Sequence, residues 1–207
     1  MLATVIEGFG GRDRLKLMDV PRPDFGEDEV LIRVEAAGIG LWDVKVREGT
    51  VFEDVTFPLV LGWECSGVIE EVGSEVVDFA PGDEVLAYAY GRGTYAEYVA
   101  CPASVAAHKP ASLGFEEAAA LPVVGITAHQ VVTEDLHLQA GETTLITAAS
   151  GGAGHLAVQL AARLGSHVIA TASPPTTTSS APSVPPKSST IGEKHSLRTS
   201  ARRTQAG

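Results

Sequence analysis

The sequence predicts an all-β, barrel-like domain followed by the first part of a doubly wound parallel α/β sheet. Three observations lead there. The first 110 residues are short apolar runs divided by Gly and Pro turns. Near Ser112 the spacing changes to that of helices. A Gly-rich turn then joins a strand candidate to a helix candidate at 147–154.

The elements follow in order. Glu29 to Ala36 alternates, with Val30, Ile32, Val34 and Ala36 on one face, and Gly38 and Gly40 close it. Trp63 to Val72 is a second strand, ended by Gly73. Asp83 to Tyr88 is a third, entered through Pro81-Gly82, and Tyr95 to Ala100 a fourth. Phe115 to Leu121 reads as a short helix with Gly114 as its N-cap, two acids in its first turn, and Pro122 as its stop. A second helix covers Gly125 to Val132. Thr143 to Thr147 is a strand. A helix from about Gly154 to Leu164 carries Leu156, Leu160 and Leu164 as one stripe and is capped by Gly165. His167 to Thr171 is the next strand, which completes a strand–helix–strand unit. The domains are therefore expected at 1–122 and 123–173.

After Ser173 the pattern collapses. Residues 174–207 hold 7 Ser, 6 Thr and 5 Pro, with only Val184, Ile191 and Leu197 as large aliphatics. Too little apolar surface is available to offset chain entropy, which predicts disorder. Residues 1–171 carry a net charge of −15 and residues 172–207 a net of +4. This reversal inside a β–α unit is what a frameshift or a misplaced end near Ser173 would produce. Arg (10) outnumbers Lys (5) and Asn is absent, as in a GC-rich gene. On that expectation the chain is C-terminally truncated; if the tail is genuine instead, a weak or inactive form is expected.

The bulk numbers exclude some classes. A net charge of −11 argues against nucleic acid as a partner. No apolar run reaches membrane-span length, and the first residues lack a secretory stretch. Cys65 and Cys101 are far apart and read as reduced thiols of a cytoplasmic protein. No G-x-S-x-G elbow and no Gly-Lys-Ser/Thr loop are present, against a hydrolase or a triphosphatase.

The chemistry resides in Ala148-Ala149-Ser150-Gly151-Gly152-Ala153-Gly154-His155, between strand and helix. A pyrophosphate must approach backbone N–H groups at a helix N-terminus, so side chains there must be small or absent. Ser150, Gly151, Gly152, Ala153, Gly154 and His155 are the candidate nucleotide-binding residues, although the spacing departs from G-x-G-x-x-G. An NAD site places an acid about 20 residues on, to hold the ribose 2′-OH. Here Thr171, Ala172 and Ser173 stand instead, which favours NADP(H), with Ser173 a candidate phosphate contact.

Ala36-Ala37-Gly38-Ile39, Asp43, Arg47-Glu48-Gly49, Pro58-Leu59, Gly62, Gly82-Asp83-Glu84-Val85, Gly93 to Tyr98, Glu117 to Pro122, Gly125 to Ala128 and Ala148 to Gln159 occur in an order that resembles one family. It is the zinc-free, quinone oxidoreductase-like branch of the medium-chain dehydrogenase/reductase superfamily, and the resemblance covers roughly residues 1–173. It implies a GroES-like β domain, then a Rossmann domain, and NADPH-linked reduction of quinones or activated carbonyls or alkenes. It implies that Thr127 lies near the nicotinamide. Dimers are common in the family, so a homodimer is the assembly to test. Zinc-dependent relatives carry Cys where this chain has Gly40 and His where it has Trp63, and neither Gly nor Trp ligates zinc. The group commonly has Asn at the position of Gly40. Trp42 either fills that space or joins the core, and is read here as core. No metal site and no catalytic side chain are assigned. Two other readings remain, a zinc-free enoyl thioester reductase of the same fold and a non-catalytic NADPH-binding fragment.

Overall fold

In the computed structural model, residues 1–52, 55–173 and 188–190 are described. The chain forms two compact units that divide between Thr127 and Ala128, inside a helix and five residues after the expected boundary at 122.

The first unit is antiparallel β with two short helices. Its elements are β1 (Leu2–Ile6), β2 (Lys16–Asp19), β3 (Glu29–Ala37), α1 (Leu41–Arg47), β4 (Leu59–Val60), β5 (Glu64–Val72), β6 (Glu84–Tyr88), β7 (Tyr98–Pro102), β8 (Ala106–His108) and α2 (Phe115–Ala119). β1 sits between β2 and β4, and a five-stranded sheet runs β7-β3-β5-β6-β8. Val30, Ile32, Cys65, Ile69, Val85 and Cys101 form its buried core, and both cysteines are free. The β3–β5 ladder has register irregularities at Leu31/Ile32 and Val34/Ala36. Gly67 serves that close approach, because a Cβ there would lie 2.1 Å from the Arg33 carbonyl oxygen.

The expected strands from Glu29, Trp63 and Asp83 correspond to β3, β5 and β6. The fourth differs. Tyr95 and Ala96 lie outside β7, because they pair with the first sheet: Thr4 N–H donates to the Tyr95 carbonyl at 2.7 Å, and Ala96 bridges Ala3. The first of the expected helices corresponds to α2, N-capped by Gly114 as expected, and the Glu117 carboxylate accepts the Gly114 N–H at 3.1 Å.

The helix expected from Gly125 instead begins at Pro122. This is α3 (Pro122–His129), since proline suits a first helical position whose N–H needs no partner. It runs into a π-helical turn, Gln130–Asp135. The second unit continues with β9 (Thr143–Ile146), α4 (Gly152–Arg163) and β10 (His167–Ala172). β9 and β10 are parallel, with His167 opposite Thr143 and Ala170 opposite Ile146. Ser166 N–H donates to Ala161 O and Gly165 N–H to Ala162 O, while Gly165 takes φ +82°, so α4 ends in a Schellman cap. No helix among the described residues is long and apolar enough to cross a membrane.

Most of the segment expected to be disordered, 174–207, lies outside the described residues. Three of its residues, 188–190, are described. Ser188–Thr190 forms β11, parallel to β10, with Ala170 opposite Ser188 and Ala172 opposite Thr190. The open edge of β10 offers backbone N–H and C=O groups, and ladder bonds to them need no apolar side chain.

Candidate nucleotide site

The turn after β9 is built from backbone. Ala149 N–H donates to the Thr171 carbonyl at 2.9 Å, which ties the turn to the end of β10. Ala148 takes φ +51°, a left-handed conformation that a residue with a Cβ adopts at a cost of roughly 1–2 kcal/mol. Its carbonyl then accepts the Gly151 N–H at 2.9 Å. Gly151 is the extended N-cap of α4, and no side chain caps the helix there. The N–H groups of Gly152, Ala153 and Gly154 belong to the first turn, which has no carbonyl of its own helix to offer them. The positive end of the 12-residue α4 dipole adds to them.

Gly154 determines how closely α4 approaches this turn. A Cβ there would lie 2.3 Å from the Ala148 oxygen and 2.9 Å from the Ala149 Cα. At Gly151 the nearest atom, again the Ala148 oxygen, would be 3.3 Å away. His155 is exposed, and its backbone N–H and ring Nδ1 both reach the Gly151 carbonyl at 3.0 Å. A carbonyl only accepts, so Nδ1 carries the proton. Ser150, Gly151 and Gly152 are exposed, and Ser150 and Ser173 each have a partner group. The structure therefore brings Ser150 to His155 together in one turn. β10 ends at Ala172 without an acid, and among the described residues the buried Thr171 hydroxyl has no hydrogen-bond partner. Exposed small residues, first-turn donors and an orphaned hydroxyl at the strand end fit a dinucleotide phosphate.

Thr127 is the last residue of the first unit. It is exposed, and its hydroxyl donates to the Val123 carbonyl one turn back at 2.7 Å.

The first unit holds a second group of polar residues, which sequence reasoning did not assemble. Glu64, at the start of β5, is buried and accepts the Val123 N–H at 2.8 Å. Burial raises its carboxyl pKa, the Val123 N–H pulls the other way, and the Asp43 charge adds to the rise. Gly38 makes room for Glu64, since a Cβ would lie 2.5 Å from its Cγ. Asp43 is buried in α1, and its Oδ2 accepts the Gly40 N–H at 2.7 Å. Its Oδ1 and the buried Tyr95 hydroxyl lack good hydrogen bonds. Burial, and then the Asp43 charge, push the Tyr95 pKa up. Among the described residues, no three His, Cys, Asp or Glu side chains group to hold a metal.

Aromatic rings adjoin two of these residues in the chain, Trp42 next to Asp43 and Trp63 next to Glu64. Trp63 stacks on Trp42 with centroids 6.0 Å apart and planes 10° from parallel, and meets Tyr90 edge-on at 4.7 Å. Trp42 is 47% exposed, which corrects its reading as core. The helix that carries it buries Asp43, Val46 and Arg47 instead.

Residues 26–111 match the alcohol dehydrogenase GroES-like domain. The chain is 37% identical over 181 residues to the chloroplastic quinone-oxidoreductase QR1 of Triphysaria versicolor, covering 83% of this chain and 55% of that protein. It is similar to a solved NAD-dependent alcohol dehydrogenase at 38% identity and TM-score 0.78, covering 84% of this chain and 58% of the other. A mycobacterial protein solved with NADPH matches at 33% identity and TM-score 0.76, covering 86% and 55%. The CurK enoyl reductase matches at 32% identity and TM-score 0.76, covering 84% and 55%. The chain thus spans about half the length of these relatives. A GroES-like domain followed by a β–α–β nucleotide turn, with these relatives, makes the chain similar to the quinone oxidoreductases of the medium-chain dehydrogenase/reductase superfamily over about half of their length.

Proposed function

We propose that the whole protein is an NADPH-dependent reductase of quinones or activated carbonyls and alkenes that works without zinc. The observation that carries this is the turn between β9 and α4, where small residues leave first-turn N–H groups open to a pyrophosphate. Bound NADPH supplies a hydride to an electron-poor acceptor. Gly152, Ala153 and Gly154 hold the pyrophosphate through their N–H groups, and Ser150 and His155 border it. Thr171 and Ser173, in place of an acid, leave the ribose 2′-position without a repelling carboxylate, which supports NADPH over NADH. Thr127 stands near the nicotinamide by family resemblance. Gly40 and Trp63 stand where zinc-dependent relatives ligate metal, and neither offers a donor.

A small molecule is the partner on this reading. Nucleic acid is disfavoured by the net charge of −11. A cytoplasmic, homodimeric protein without membrane association completes the proposal, although relatives include chloroplastic proteins. A second reading, an enoyl thioester reductase, is favoured by the likeness to CurK.

The test is NADPH oxidation at 340 nm by the 207-residue chain, offered a naphthoquinone or a crotonyl thioester. Quinone turnover supports the first reading and thioester turnover the second. Saturable NADPH binding with no turnover of either leaves a nucleotide-binding role without catalysis. The absence of both binding and turnover overturns the reading of this chain as the nucleotide-binding part of such an enzyme.

A further inference from the structure

Among residues 128–173, Arg163 is the only Lys or Arg, and it ends α4, about 12 Å along the helix from His155. The acids of the same stretch are Glu134, Asp135 and Glu142. A dianionic pyrophosphate at the start of α4 therefore meets backbone dipoles but no permanent cation among the described residues of the second unit. Between Ala148 and His155, His155 is the one side chain that can become a cation.

The His155 ring is held in a single tautomer. Its Nδ1 lies 3.0 Å from the Gly151 carbonyl, which only accepts, so the one proton of the neutral ring resides on Nδ1. The residue is exposed, and among the described residues Nε2 has no partner. A neutral ring thus offers only a lone pair at Nε2, and a phosphate oxygen likewise offers only lone pairs. A hydrogen bond between them requires a proton on Nε2, which makes the ring an imidazolium that donates from both nitrogens. Histidine side chains change charge between about pH 5 and 8. Without an anion, a cation here faces the positive end of the α4 dipole, which disfavours it; a bound anion reverses the sign.

We propose that His155 couples nucleotide binding to proton uptake, so that the β9–α4 turn holds a pyrophosphate more tightly when the His155 ring is an imidazolium. This coupling rests on the nucleotide reading above for its ligand. α4 packs on β9, β10 and the π-helical turn. β9 carries no charged group, β10 carries His167 at the end away from the glycine turn, and the π-helical turn carries Glu134 and Asp135. Glu134 pairs with His129 at 3.6 Å. Among the described residues, no ion pair or hydrogen bond joins any of these groups to His155. The anion itself, rather than a neighbouring carboxylate, is what calls the proton onto the ring.

The probe is ADP-ribose. Its pyrophosphate stays dianionic across this range, and it lacks the 2′-phosphate of NADPH, a monoester that titrates at about pH 6. It is titrated calorimetrically into the 207-residue chain at pH 7 in two buffers of different ionisation enthalpy, so that the difference in heat counts protons. A tenfold preference for the imidazolium gives uptake of about half a proton at pH 7, and an affinity that falls about eightfold from pH 5.5 to 8.5. His155→Gln carries an amide that donates at every pH, so its binding should take up no proton and lose this dependence. Because His155 is exposed, the variant should keep its circular dichroism. Wild-type binding without proton uptake, or uptake that His155→Gln leaves unchanged, overturns the coupling, while saturable NADPH binding in the same experiment leaves the nucleotide reading standing. Uptake that the variant abolishes, with no NADPH oxidation against any acceptor, leaves the coupling standing and removes the reductase reading. No saturable binding of ADP-ribose also overturns the coupling, and the parallel NADPH titration then decides the nucleotide reading.

Discussion

Replacing Gly154 with Ala tests the geometry of the nucleotide turn. The new methyl carbon would lie 2.3 Å from the Ala148 oxygen, 2.9 Å from the Ala149 Cα and 3.0 Å from the Ala148 carbonyl carbon. All three are backbone atoms, so no side chain can rotate away, and α4 must shift off the turn. Overpacking of this kind costs about 1–3 kcal/mol, and its upper part applies against rigid backbone. Alanine returns about 1 kcal/mol of helix propensity. The net loss is about 2 kcal/mol, a fall in Tm of roughly 4–8 °C for a chain of this size. Gly125→Ala is the control. Gly125 also lies inside a helix, α3, but nothing stands within 4 Å of the position its new methyl group would take. That variant should gain about 0.5–1 kcal/mol. Paired thermal melts followed by circular dichroism read both. Equal or raised stability in Gly154→Ala would refute the close-packing argument.

Three further outcomes follow from the first unit. Burial holds the Glu64 pKa above its ordinary 4.5, so its contribution to stability is fully present below that value and is lost as pH rises through the folded value. Glu64→Gln keeps an acceptor for Val123 N–H without the charge, so urea melts should show it gaining on the wild type as pH rises from 4.5; a pH-independent difference would contradict this. Asp43→Ala removes the acceptor of the Gly40 N–H and should cost about 1 kcal/mol, measured by the same melts. Tyr95→Phe deletes a buried hydroxyl that lacks a good partner, and should be neutral to stabilising.

The elements legible in the sequence are those whose burial follows a single local rule. β3, β5, β6 and β10 are apolar runs closed by turn residues, and α4 carries a leucine stripe with a glycine cap. β1 and β2 escaped notice because Leu2–Ile6 is short and its partners, β2 and β4, are set by tertiary pairing. β7 was displaced because the Tyr95 segment bonds to the first sheet instead. α1 was missed for a different reason, since its charged residues face in and its apolar ones face out. A helix that breaks the burial pattern carries no amphipathic signal, and such breaks concentrate at functional surfaces. The glycine turn was legible because its chemistry needs small residues at fixed places. The grouping of Glu64, Asp43 and Tyr95 was not, since 52 residues of sequence separate Asp43 from Tyr95 and only the fold joins them.

The most direct test of the nucleotide site is calorimetric titration of the 207-residue chain with NADPH and with NADH, repeated on Gly154→Val. The account predicts saturable NADPH binding, at least about tenfold tighter than NADH, or ~1.4 kcal/mol, and loss of it in the variant. No saturable binding of either nucleotide, or binding that Gly154→Val leaves unchanged, would contradict it.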